Sequence, residues 1–266
     1  MVFDEDYVRY YDLFNKGKDY SIEVEFLGKV FERFGIGNQI KSILDLGCGT
    51  GLHAGKLISK GYEITGLDNS EQMIKIARTK VNGKFLVGDM ANFKIDNEIN
   101  ENADEKNEKF DAIICMFSGL GYLTENKQIE SFFTCCKNHL KEDGLLILDV
   151  WNGLGVMNEL PSSREKTSEI GSLKIIRKSF PELDSKNHIN NVRFNVQVFE
   201  DGILVKEYNE NHKVRFFFPQ EIIKYMEDVG FELIHICPSF EIDKELTEND
   251  WNMVVVGRLK KKYNNL

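Results

Sequence analysis

The segment 45–51, DLGCGTG, combines one carboxylate with closely spaced glycines. Gly47, Gly49 and Gly51 lack side chains, so their backbone can adopt positive φ and can approach a ligand closely. Asp45 stands two residues before the first of them, at the end of an apolar stretch. Helix-forming residues follow, and the free N–H groups of a helix N-terminus favour an anionic group. The turn therefore predicts a ligand that carries both a positive and a negative charge.

Two ligand classes compete for this turn. The dinucleotide fingerprint G-x-G-x-x-G places a pyrophosphate at the helix N-terminus, whereas the spacing here is G-x-G-x-G and Leu52 occupies the position of the third glycine. Asp45 would also repel a pyrophosphate, but it would attract a sulfonium or an ammonium. S-adenosylmethionine carries these charges, so the turn favours this ligand over a nicotinamide dinucleotide and its oxidoreductase chemistry.

The surrounding elements predict a sheet that brings strand ends together. Apolar strands alternate with helices up to residue 150, which predicts an α/β fold with a doubly wound, mostly parallel sheet. Ser70 precedes Glu71 and predicts a helix N-cap. The polar stretch 96–109 is interpreted as a surface insertion. The predicted strands are 42–46, 62–68, 84–89, 110–117 and 145–150, and the predicted helices are 3–16, 21–34, 53–60, 70–80 and 125–140, with a turn at 141–144.

The periodicity changes after residue 150. Apolar and polar residues then alternate, which predicts an antiparallel set of strands. We expect residues 1–150 and 219–266 to form the α/β core and residues 151–218 to be inserted into it. The later predicted elements are strands 173–180, 188–200 and 203–218, a helix at 219–230, and a closing strand pair at 231–239 and 251–259.

Composition limits the classes of partner. The formal net charge of −9 disfavours nucleic acid, because an acidic surface repels phosphate. The five cysteines include no CxxC pair, and no His/Cys/Asp cluster has metal-ligand spacing, so we expect neither a disulfide framework nor a metal. No apolar run approaches the ~20 residues that span a bilayer. The sequence predicts a cytoplasmic monomer or homodimer that acts on a small molecule.

The segment DLGCGTG resembles motif I of the class I S-adenosylmethionine-dependent methyltransferases. The resemblance continues through GLDNSEQMIKIAR (66–78), VGDM (87–90), FDAIICMFSGLGYL (110–123) and LKEDGLLILDV (140–150). It implies a Rossmann-like fold, S-adenosylmethionine as the cofactor, Asp68 on the ribose hydroxyls and Asp89 near the adenine amino group. The further cofactor contacts that it implies are Asp45, Gly47, Cys48, Gly49, Thr50, Gly51, Asn69, Met73, Gly88, Met90, Cys115, Met116 and Phe117.

A narrower resemblance concerns YYDLFNKGKDY (10–20), GDM and CMFSGLGYL. These segments are similar to methyltransferases that act on nucleotide-linked amino sugars, and to some glycine-type N-methyltransferases. The resemblance implies that Tyr11 lies in the pocket, that Tyr20 reaches the methionine carboxylate and that the inserted strands cover the substrate. Tyr122, however, stands where the sugar enzymes often carry His, and the acidic segment 237–251 is unlike theirs.

The nature of the acceptor stays open at this point. A nucleotide-linked sugar would need basic residues for its diphosphate, and the inserted segment offers Arg164, Arg177, Lys178, Arg193 and Arg215. An amino acid or another small metabolite is the alternative acceptor. A non-catalytic protein that only binds S-adenosylmethionine is the alternative to an enzyme.

Methyl transfer from a sulfonium is an in-line displacement with an activated leaving group, so proximity and orientation can supply most of the acceleration. Tyr11 and Tyr122 are the candidates for orienting the acceptor, and packing in a pocket wall would explain them equally well. Asp149 ends a predicted strand and is the third catalytic candidate, with turn capping as its alternative role. His53 is the histidine nearest to the glycine turn and is interpreted as a contact to the methionine end of the cofactor. His188 and His212 belong to the inserted strands, and either could line the lid over the substrate.

Overall fold

The computed structural model describes residues 5–36, 40–96 and 107–260. Eleven strands form two sheets in this part of the chain. The strands are β1 (Ser42–Leu46), β2 (Glu63–Asp68), β3 (Lys84–Val87), β4 (Phe110–Cys115), β5 (Leu140–Trp151), β6 (Arg164–Ile170), β7 (Leu173–Asp184), β8 (Ile189–Glu200), β9 (Ile203–Arg215), β10 (Phe231–Pro238) and β11 (Asn252–Leu259).

The central sheet has seven strands in the order β10-β11-β5-β4-β1-β2-β3. Strands β1 to β5 pair in parallel, and β11 runs antiparallel between β5 and β10. This arrangement confirms the predicted doubly wound, mostly parallel α/β sheet. Strand order reverses at β1, which lies between β2 and β4, and such a reversal opens a crevice at the carboxyl ends of the strands.

The central strands are covered on both faces, as their continuous apolar sequences predict. Leu44 and Ile113 pack into one hydrophobic cluster, while Ile43 and Ile114 pack into the cluster on the other face. All four side chains are fully buried. Burial on both faces fixes the strand ends that carry the glycine turn and the segment after β4.

The helices that flank the sheet follow the predicted pattern closely. The Ser70 hydroxyl accepts a hydrogen bond from the Met73 N–H, which confirms the predicted N-cap. None of the described helices combines the length and the low charge that a bilayer crossing requires. The helices are α1 (Glu5–Phe14), α2 (Tyr20–Phe34), α3 (Leu52–Ser59), α4 (Glu71–Lys80), α5 (Asn126–His139), α6 (Gly153–Asn158) and α7 (Pro219–Val229), with a short 3-10 helix at Gly119–Tyr122.

The second sheet, hereafter the inserted sheet, is antiparallel in the order β6-β7-β8-β9. Its last three strands were predicted from their alternation, but β6 was not. The sequence of β6, REKTSEI, has no apolar alternation because most of its side chains are exposed at the edge of the sheet. The short helix α6 was also missed, since GLGVMN has no amphipathic period.

The inserted segment leaves the central sheet and returns to it at neighbouring points. The Gly153 N–H donates to the Phe217 carbonyl at 2.8 Å, and the Phe217 N–H donates to the Trp151 carbonyl at 3.0 Å. We propose on this topology that residues 151–218 form an insertion into a core made of residues 1–150 and 219–266.

Helix α1 fills the space between the inserted sheet and the core. Phe14 packs against Ile175, Val196 and Val198 on the inner face of the inserted sheet. On its other side, Asp12 accepts a hydrogen bond from the Thr50 hydroxyl at 2.7 Å and pairs with a lysine of α4. The helix thereby ties the inserted sheet to the glycine turn.

One predicted feature differs from the structure, and another lies mostly outside the described residues. Residues 141–144 belong to β5 and form an irregularity in it, because the pairing with β4 jumps from Phe110↔Leu140 to Ala112↔Leu145. Most of the predicted surface insertion at 96–109 lies outside the described residues, so its structure stays a prediction.

Candidate active site

A cavity of about 560 Å³ lies at the carboxyl ends of β1, β2, β3 and β4, between them and the inserted sheet. A volume of this size is typical of small-molecule sites. Its core side includes Gly47, Gly49, Asp68, Asn69, Met73, Gly88, Asp89, Met90, Met116 and Phe117, and its opposite side includes Tyr11, Asn15, Tyr122, Trp151, Arg177, Val192, Phe194, His212 and Val214.

The glycine turn needs its glycines for two different reasons. Gly47, Gly49 and Gly51 all have positive φ, at 73°, 54° and 79°. A Cβ at Gly49 would meet nothing within 4 Å, and one at Gly47 would only touch the Met90 methyl at 4.0 Å, so both positions face open space. A Cβ at Gly51 would meet α4 at 3.3 Å instead. Gly51 therefore serves the packing of the turn, and the other two leave a cradle for a ligand.

Asp45 is buried below this cradle. Its side chain is 1% exposed, and its Oδ2 has no hydrogen-bond partner among the described residues. Burial raises the pKa of Asp45 to about 6. An unpaired buried carboxylate is costly, and a cationic group brought next to it would offset that cost.

Asp68 ends β2 and is held in one orientation by the backbone. Its Oδ2 accepts from the Gly49 N–H and its Oδ1 accepts from the Ser70 N–H, both at 2.9 Å. Burial raises the pKa of Asp68, while these two N–H groups oppose the rise. A carboxylate has about four acceptor sites, so Asp68 keeps acceptor capacity towards the cavity that it lines.

The loop after β3 supplies a third carboxylate at the same edge. Asp89 is exposed, and its Oδ1 accepts from the Ala91 N–H at 2.8 Å. Gly88 and Met90 beside it line the cavity, as do Asn69 and Met73 on the side of α4. Of the three acids that the sequence singled out, Asp68 and Asp89 line one end of the cavity, whereas Asp45 is buried and lies outside the lining.

A small recess adjoins the glycine turn and contains Tyr11, Tyr20, Thr50 and His53 among its lining residues. His53 Nε2 lies 2.5 Å from Glu23 Oε2, and the His53 ring meets the Tyr20 ring edge-on. His53 is thus a partner of a buried carboxylate, and its contact to the methionine end of the cofactor stays a prediction.

Lys18 and Glu23 contact residues that line this recess, and the sequence analysis missed both. Lys18 Nζ lies 2.8 Å from Glu23 Oε1 and 3.3 Å from the centroid of the Phe117 ring. Burial lowers the pKa of Lys18, although Glu23 and Asp149 oppose this. Burial alone would raise the pKa of Glu23, but His53 and Lys18 outweigh it and hold the pKa low. The available signal was the KDY segment, in which Lys18 precedes Tyr20 by two residues.

The segment after β4 enters the cavity in a strained conformation. Phe117 and Ser118 both have positive φ, at 54° and 56°. Two consecutive non-glycine residues in this region are uncommon and often mark functional sites. Phe117 is 43% exposed and lines both the cavity and the recess, whereas Cys115 is fully buried beneath the segment.

Asp149 explains how the strained segment is held. Its Oδ2 accepts from the Ser118 N–H and its Oδ1 from the Ser239 hydroxyl, each at 3.2 Å. Burial raises the pKa of Asp149, which is 2% exposed and lies outside the cavity lining. The structure places this predicted catalytic residue behind the segment that it supports.

The side of the cavity near the inserted sheet brings together residues from three elements. Tyr11 of α1 and Tyr122 of the 3-10 helix both line the cavity, as predicted. Tyr122 Oη lies 3.1 Å from His212 Nδ1, and His212 Nε2 lies 2.8 Å from Glu210 Oε2. Glu210 was not singled out from the sequence, because only the strand alternation of β9 reveals that it shares a face with His212.

Of the five basic residues proposed for a phosphate group, Arg177 lines the cavity. Its guanidinium lies over the rings of Phe14 and Phe194, at 5.1 and 4.9 Å from their centroids.

The other four basic residues lie outside the cavity lining. Arg215 pairs with Glu221 and Lys178 with Glu165. Arg193 lies over Phe180, and Arg164 is exposed. The alternation of β7 separates Arg177 from Lys178, which takes the opposite face.

The chemistry of the cavity fits S-adenosylmethionine. Asp45 offers an unpartnered buried carboxylate for a cation, Asp68 offers acceptor capacity for hydroxyl groups, and Gly47 and Gly49 leave room for the ligand. Among the described residues, no three His, Cys, Asp or Glu side chains form a metal-binding group.

Comparison with known proteins identifies the family. The sequence profile of a family described as "Methyltransferase domain" matches residues 43–144. "Putative methyltransferase YqeM" of Bacillus subtilis (strain 168) is 30% identical over 204 residues, which are 74% of this chain and 76% of that protein. The dTDP-3-amino-3,4,6-trideoxy-alpha-D-glucopyranose N,N-dimethyltransferase of Streptomyces venezuelae is 28% identical over 153 residues, which cover 56% of this chain and 59% of that enzyme.

A solved structure shows the same fold over nearly the whole chain. The S-adenosylmethionine-dependent methyltransferase from Clostridium acetobutylicum ATCC 824 superposes with a TM-score of 0.77 and 19% identity, covering 96% of this chain and 98% of that one. Together with the acidic cradle at the ends of β1, β2 and β3, these similarities show that the chain belongs to the class I S-adenosylmethionine-dependent methyltransferases.

Proposed function

We propose that this methyltransferase transfers a methyl group to a nitrogen or oxygen atom of a small molecule, and that a nucleotide-linked sugar is the leading candidate. The observation that carries the proposal is one continuous cavity, which runs from the Asp68 and Asp89 carboxylates to the inner face of the inserted sheet. One end of this cavity suits the methyl donor, and the other end leaves space for an acceptor beside Tyr11 and Tyr122.

The proposed cofactor site uses the carboxylates by charge and hydrogen bonding. Asp45 attracts the positive charge of the donor, Asp68 accepts from the ribose hydroxyls and Asp89 from the adenine amino group. Tyr20 lines the recess and Lys18 lies against the Tyr20 ring, and these two residues would hold a carboxylate of the donor. The contacts proposed around them are Gly47, Cys48, Gly49, Thr50, His53, Asn69, Met73, Gly88, Met90, Met116 and Phe117, while Gly51 and Cys115 shape the site from behind.

The mechanism needs little beyond placement. Bound S-adenosylmethionine supplies a methyl group on a sulfonium sulfur, which is already an activated leaving group. The chain's own residues hold the acceptor in line and exclude water, and such positioning accounts for a large part of the barrier reduction in two-reactant steps. Tyr11 and Tyr122 orient the acceptor, and Asp149 keeps Phe117 and Ser118 in the conformation that borders the reacting atoms.

A nucleotide-linked sugar is favoured by the makeup of the acceptor side. Arg177 supplies a cation for a phosphate group, and Phe194, Trp151, Val192 and Val214 give apolar and aromatic surface for a base or a sugar ring. The similarity to the Streptomyces venezuelae dimethyltransferase supports the same acceptor class.

A second candidate follows from the small number of cations. Arg177 is the one Lys or Arg side chain in the cavity lining drawn from the described residues. A single cation matches a singly charged acceptor, such as an amino acid, as well as it matches a diphosphate. Glycine and sarcosine therefore belong in the same test.

The donor site is tested by calorimetry with S-adenosylhomocysteine. We expect the intact protein to bind this ligand and Asp68→Ala to weaken binding at least tenfold, because a charged acceptor of hydrogen bonds contributes roughly 1.5–3 kcal/mol. Asp228→Ala is the matched control, since Asp228 is exposed on α7 and pairs only with Lys224 of the same helix among the described residues. Equal affinity of both variants would contradict the role of Asp68.

The acceptor is tested with dTDP-3-amino-3,4,6-trideoxyglucose, glycine and sarcosine, with formation of S-adenosylhomocysteine as the readout. We expect the nucleotide sugar to be methylated, and Arg177→Gln to raise its KM about tenfold, because the ion pair with phosphate is lost. Lys178→Gln changes the neighbouring residue on the opposite face of β7 and should leave KM unchanged. Turnover of glycine or sarcosine alone would establish the second candidate, and donor binding without any turnover would overturn the acceptor proposal.

A further inference from the structure

Three side chains form a hydrogen-bonded chain that ends in the cavity. Glu210 Oε2 lies 2.8 Å from His212 Nε2, and His212 Nδ1 lies 3.1 Å from Tyr122 Oη. Tyr122 and His212 line the cavity, while Glu210 lies behind them. The side chains of His212 and Glu210 are 2% and 6% exposed. The chain therefore runs from a buried carboxylate to a phenol hydroxyl that faces the acceptor space.

The local structure explains why these groups meet. Residues 210 and 212 are two apart on β9, so both side chains point to the inner face of the inserted sheet. They lie opposite Phe194 and Val192 of β8, and the Phe194 ring meets the His212 ring edge-on with centroids 5.1 Å apart. Tyr122 comes from the 3-10 helix of the core. The chain of contacts exists only because the inserted sheet lies against the core.

The direction of the hydrogen bonds follows from the donors and acceptors. A carboxylate only accepts hydrogen bonds, so the His212 proton lies on Nε2 and is donated to Glu210. In the neutral ring, Nδ1 is then the acceptor and takes the hydrogen bond of the Tyr122 hydroxyl. The arrangement is that of a carboxylate orienting an imidazole that serves as a base for a hydroxyl group.

We propose that Glu210, His212 and Tyr122 form a relay that accepts the proton released by the acceptor, with Tyr122 as the catalytic residue and the other two as positioning residues. The proposal deepens the proposed function and rests on it. It assigns an acceptor whose attacking nitrogen or oxygen carries a proton to be lost, such as an amine or a hydroxyl group. A tertiary amine or a thioether would not need the relay.

The proton balance is complete without a further reactant. The lone pair of the acceptor atom forms the bond to the methyl carbon, and the electron pair of the carbon–sulfur bond remains on sulfur. The N–H or O–H bond of the acceptor breaks, and its proton goes to Tyr122 Oη as the tyrosine proton moves to His212 Nδ1. The resulting imidazolium is stabilised by the Glu210 carboxylate and later returns the proton to solvent.

Other charged or ionisable groups face the same space from neighbouring elements. Arg177 of β7 and Tyr11 of α1 line the cavity, and the Arg177 guanidinium lies over Phe194, which contacts the His212 ring. These groups border the space in which the proposed proton transfer takes place.

The first test uses NMR of the whole protein labelled at histidine nitrogens and tyrosine ring carbons, without any acceptor. At about pH 8 we expect the His212 ring proton on Nε2, and we expect Tyr122→Phe to shift the Nδ1 signal because its hydrogen bond is lost. Glu210→Gln should shift the Nε2 signal, because the charge of its hydrogen-bond acceptor is lost. A ring that is doubly protonated at this pH, or that carries its proton on Nδ1, would overturn the relay whether or not an acceptor is known.

The second test follows methyl transfer to the panel member that is turned over. Tyr122→Phe and Glu210→Gln should each lower kcat at least tenfold, since general-base catalysis is worth about 100- to 10,000-fold, and should leave KM for the acceptor and the affinity for S-adenosylhomocysteine nearly unchanged. The ionisation that limits kcat at low pH should move in Glu210→Gln. His188→Gln is the control, because His188 also pairs with a glutamate, Glu221, but lies outside the cavity lining. If the pH profile of kcat were the same in Glu210→Gln and the wild type, the three residues would only stabilise the contact between the inserted sheet and the core. If the wild-type protein did not bind S-adenosylhomocysteine, the proposed function itself would be refuted.

Discussion

At the scale of single residues, the site depends on carboxylates whose burial is unequal. Asp45 is enclosed and partly unpartnered, Asp68 is fixed by two backbone N–H groups, and Asp89 is exposed. The sequence could predict these three acids because each lies at or just after the end of an apolar strand. It did not single out Glu210 or Glu23, since their roles come from side-chain contacts with His212 and His53, which lie 2 and 30 positions away along the chain.

Asp45→Asn is expected to change the pH dependence of stability. The folded pKa of about 6 lies above the usual value of about 4, so the folded state keeps its proton where the unfolded state has lost it. The stability that this provides is present below about pH 4 and is lost as pH rises through about 6, by up to about 3 kcal/mol. The asparagine side chain of the variant does not titrate, so the variant does not undergo this loss. As pH rises from about 4 to above about 6, the free energy of unfolding of the variant should therefore increase relative to that of the wild type by up to about 3 kcal/mol.

Urea unfolding at several pH values measures this difference. Asp228→Asn changes an exposed carboxyl and should run parallel to the wild type throughout. If Asp45→Asn also ran parallel, Asp45 would not carry a raised pKa in the free protein. The same variant should bind S-adenosylmethionine more weakly, because a neutral amide attracts a cation less than a carboxylate does.

At the scale of elements, secondary structure could be predicted where the hydrophobic pattern had one clear period. It was predicted wrongly or missed where pairing with a neighbouring strand decided the structure. The parallel strands and the Ser70 cap could be derived from apolar runs and a capping residue. Strand β6 is exposed and polar, and it is specified by its pairing with β7 and not by its own pattern. The irregular residues 141–144 read locally as a turn, but pairing with β4 on both sides keeps them within β5.

Helix α1 is expected to control the inserted sheet. Phe14 is 2% exposed and packs on Ile175, Val196 and Val198, and removal of a buried phenylalanine ring costs roughly 3–5 kcal/mol. Phe14→Ala should therefore speed amide hydrogen exchange in α1, β7 and β8, while β1 and β4 keep their protection.

Hydrogen exchange followed by mass spectrometry resolves these segments. Phe26→Ala is the matched control, because Phe26 is equally buried but lies on α2 in the core. Its effect should be confined to α2 and its neighbours. Equal loss of protection in all segments of Phe14→Ala would show that the molecule opens as one unit and that α1 has no separate role.

At the scale of the whole molecule, the proposed donor site and part of the proposed acceptor site come from different stretches of the chain. The carboxylates and glycines lie between residues 45 and 89, and the family profile matches residues 43–144. Arg177, Phe194 and His212 belong to the inserted sheet. The fold class could be predicted from the alternation of strands and helices along the chain. The identity of the acceptor could not be predicted, because recognition of the acceptor depends on which side chains of each inserted strand face the cavity.

The inserted segment starts and ends at hydrogen-bonded neighbours, Trp151, Gly153 and Phe217. A segment with adjoining ends can be exchanged for another of different length without moving the strands on either side, much as domains tolerate insertion where their termini are close. Under the proposed domain division, the core supplies the methyl-donor site together with Tyr11 and Tyr122, and the inserted segment supplies Arg177, Phe194 and His212. New acceptor specificities can arise on such a scaffold by recombination at two adjoining points, with the donor chemistry carried along unchanged.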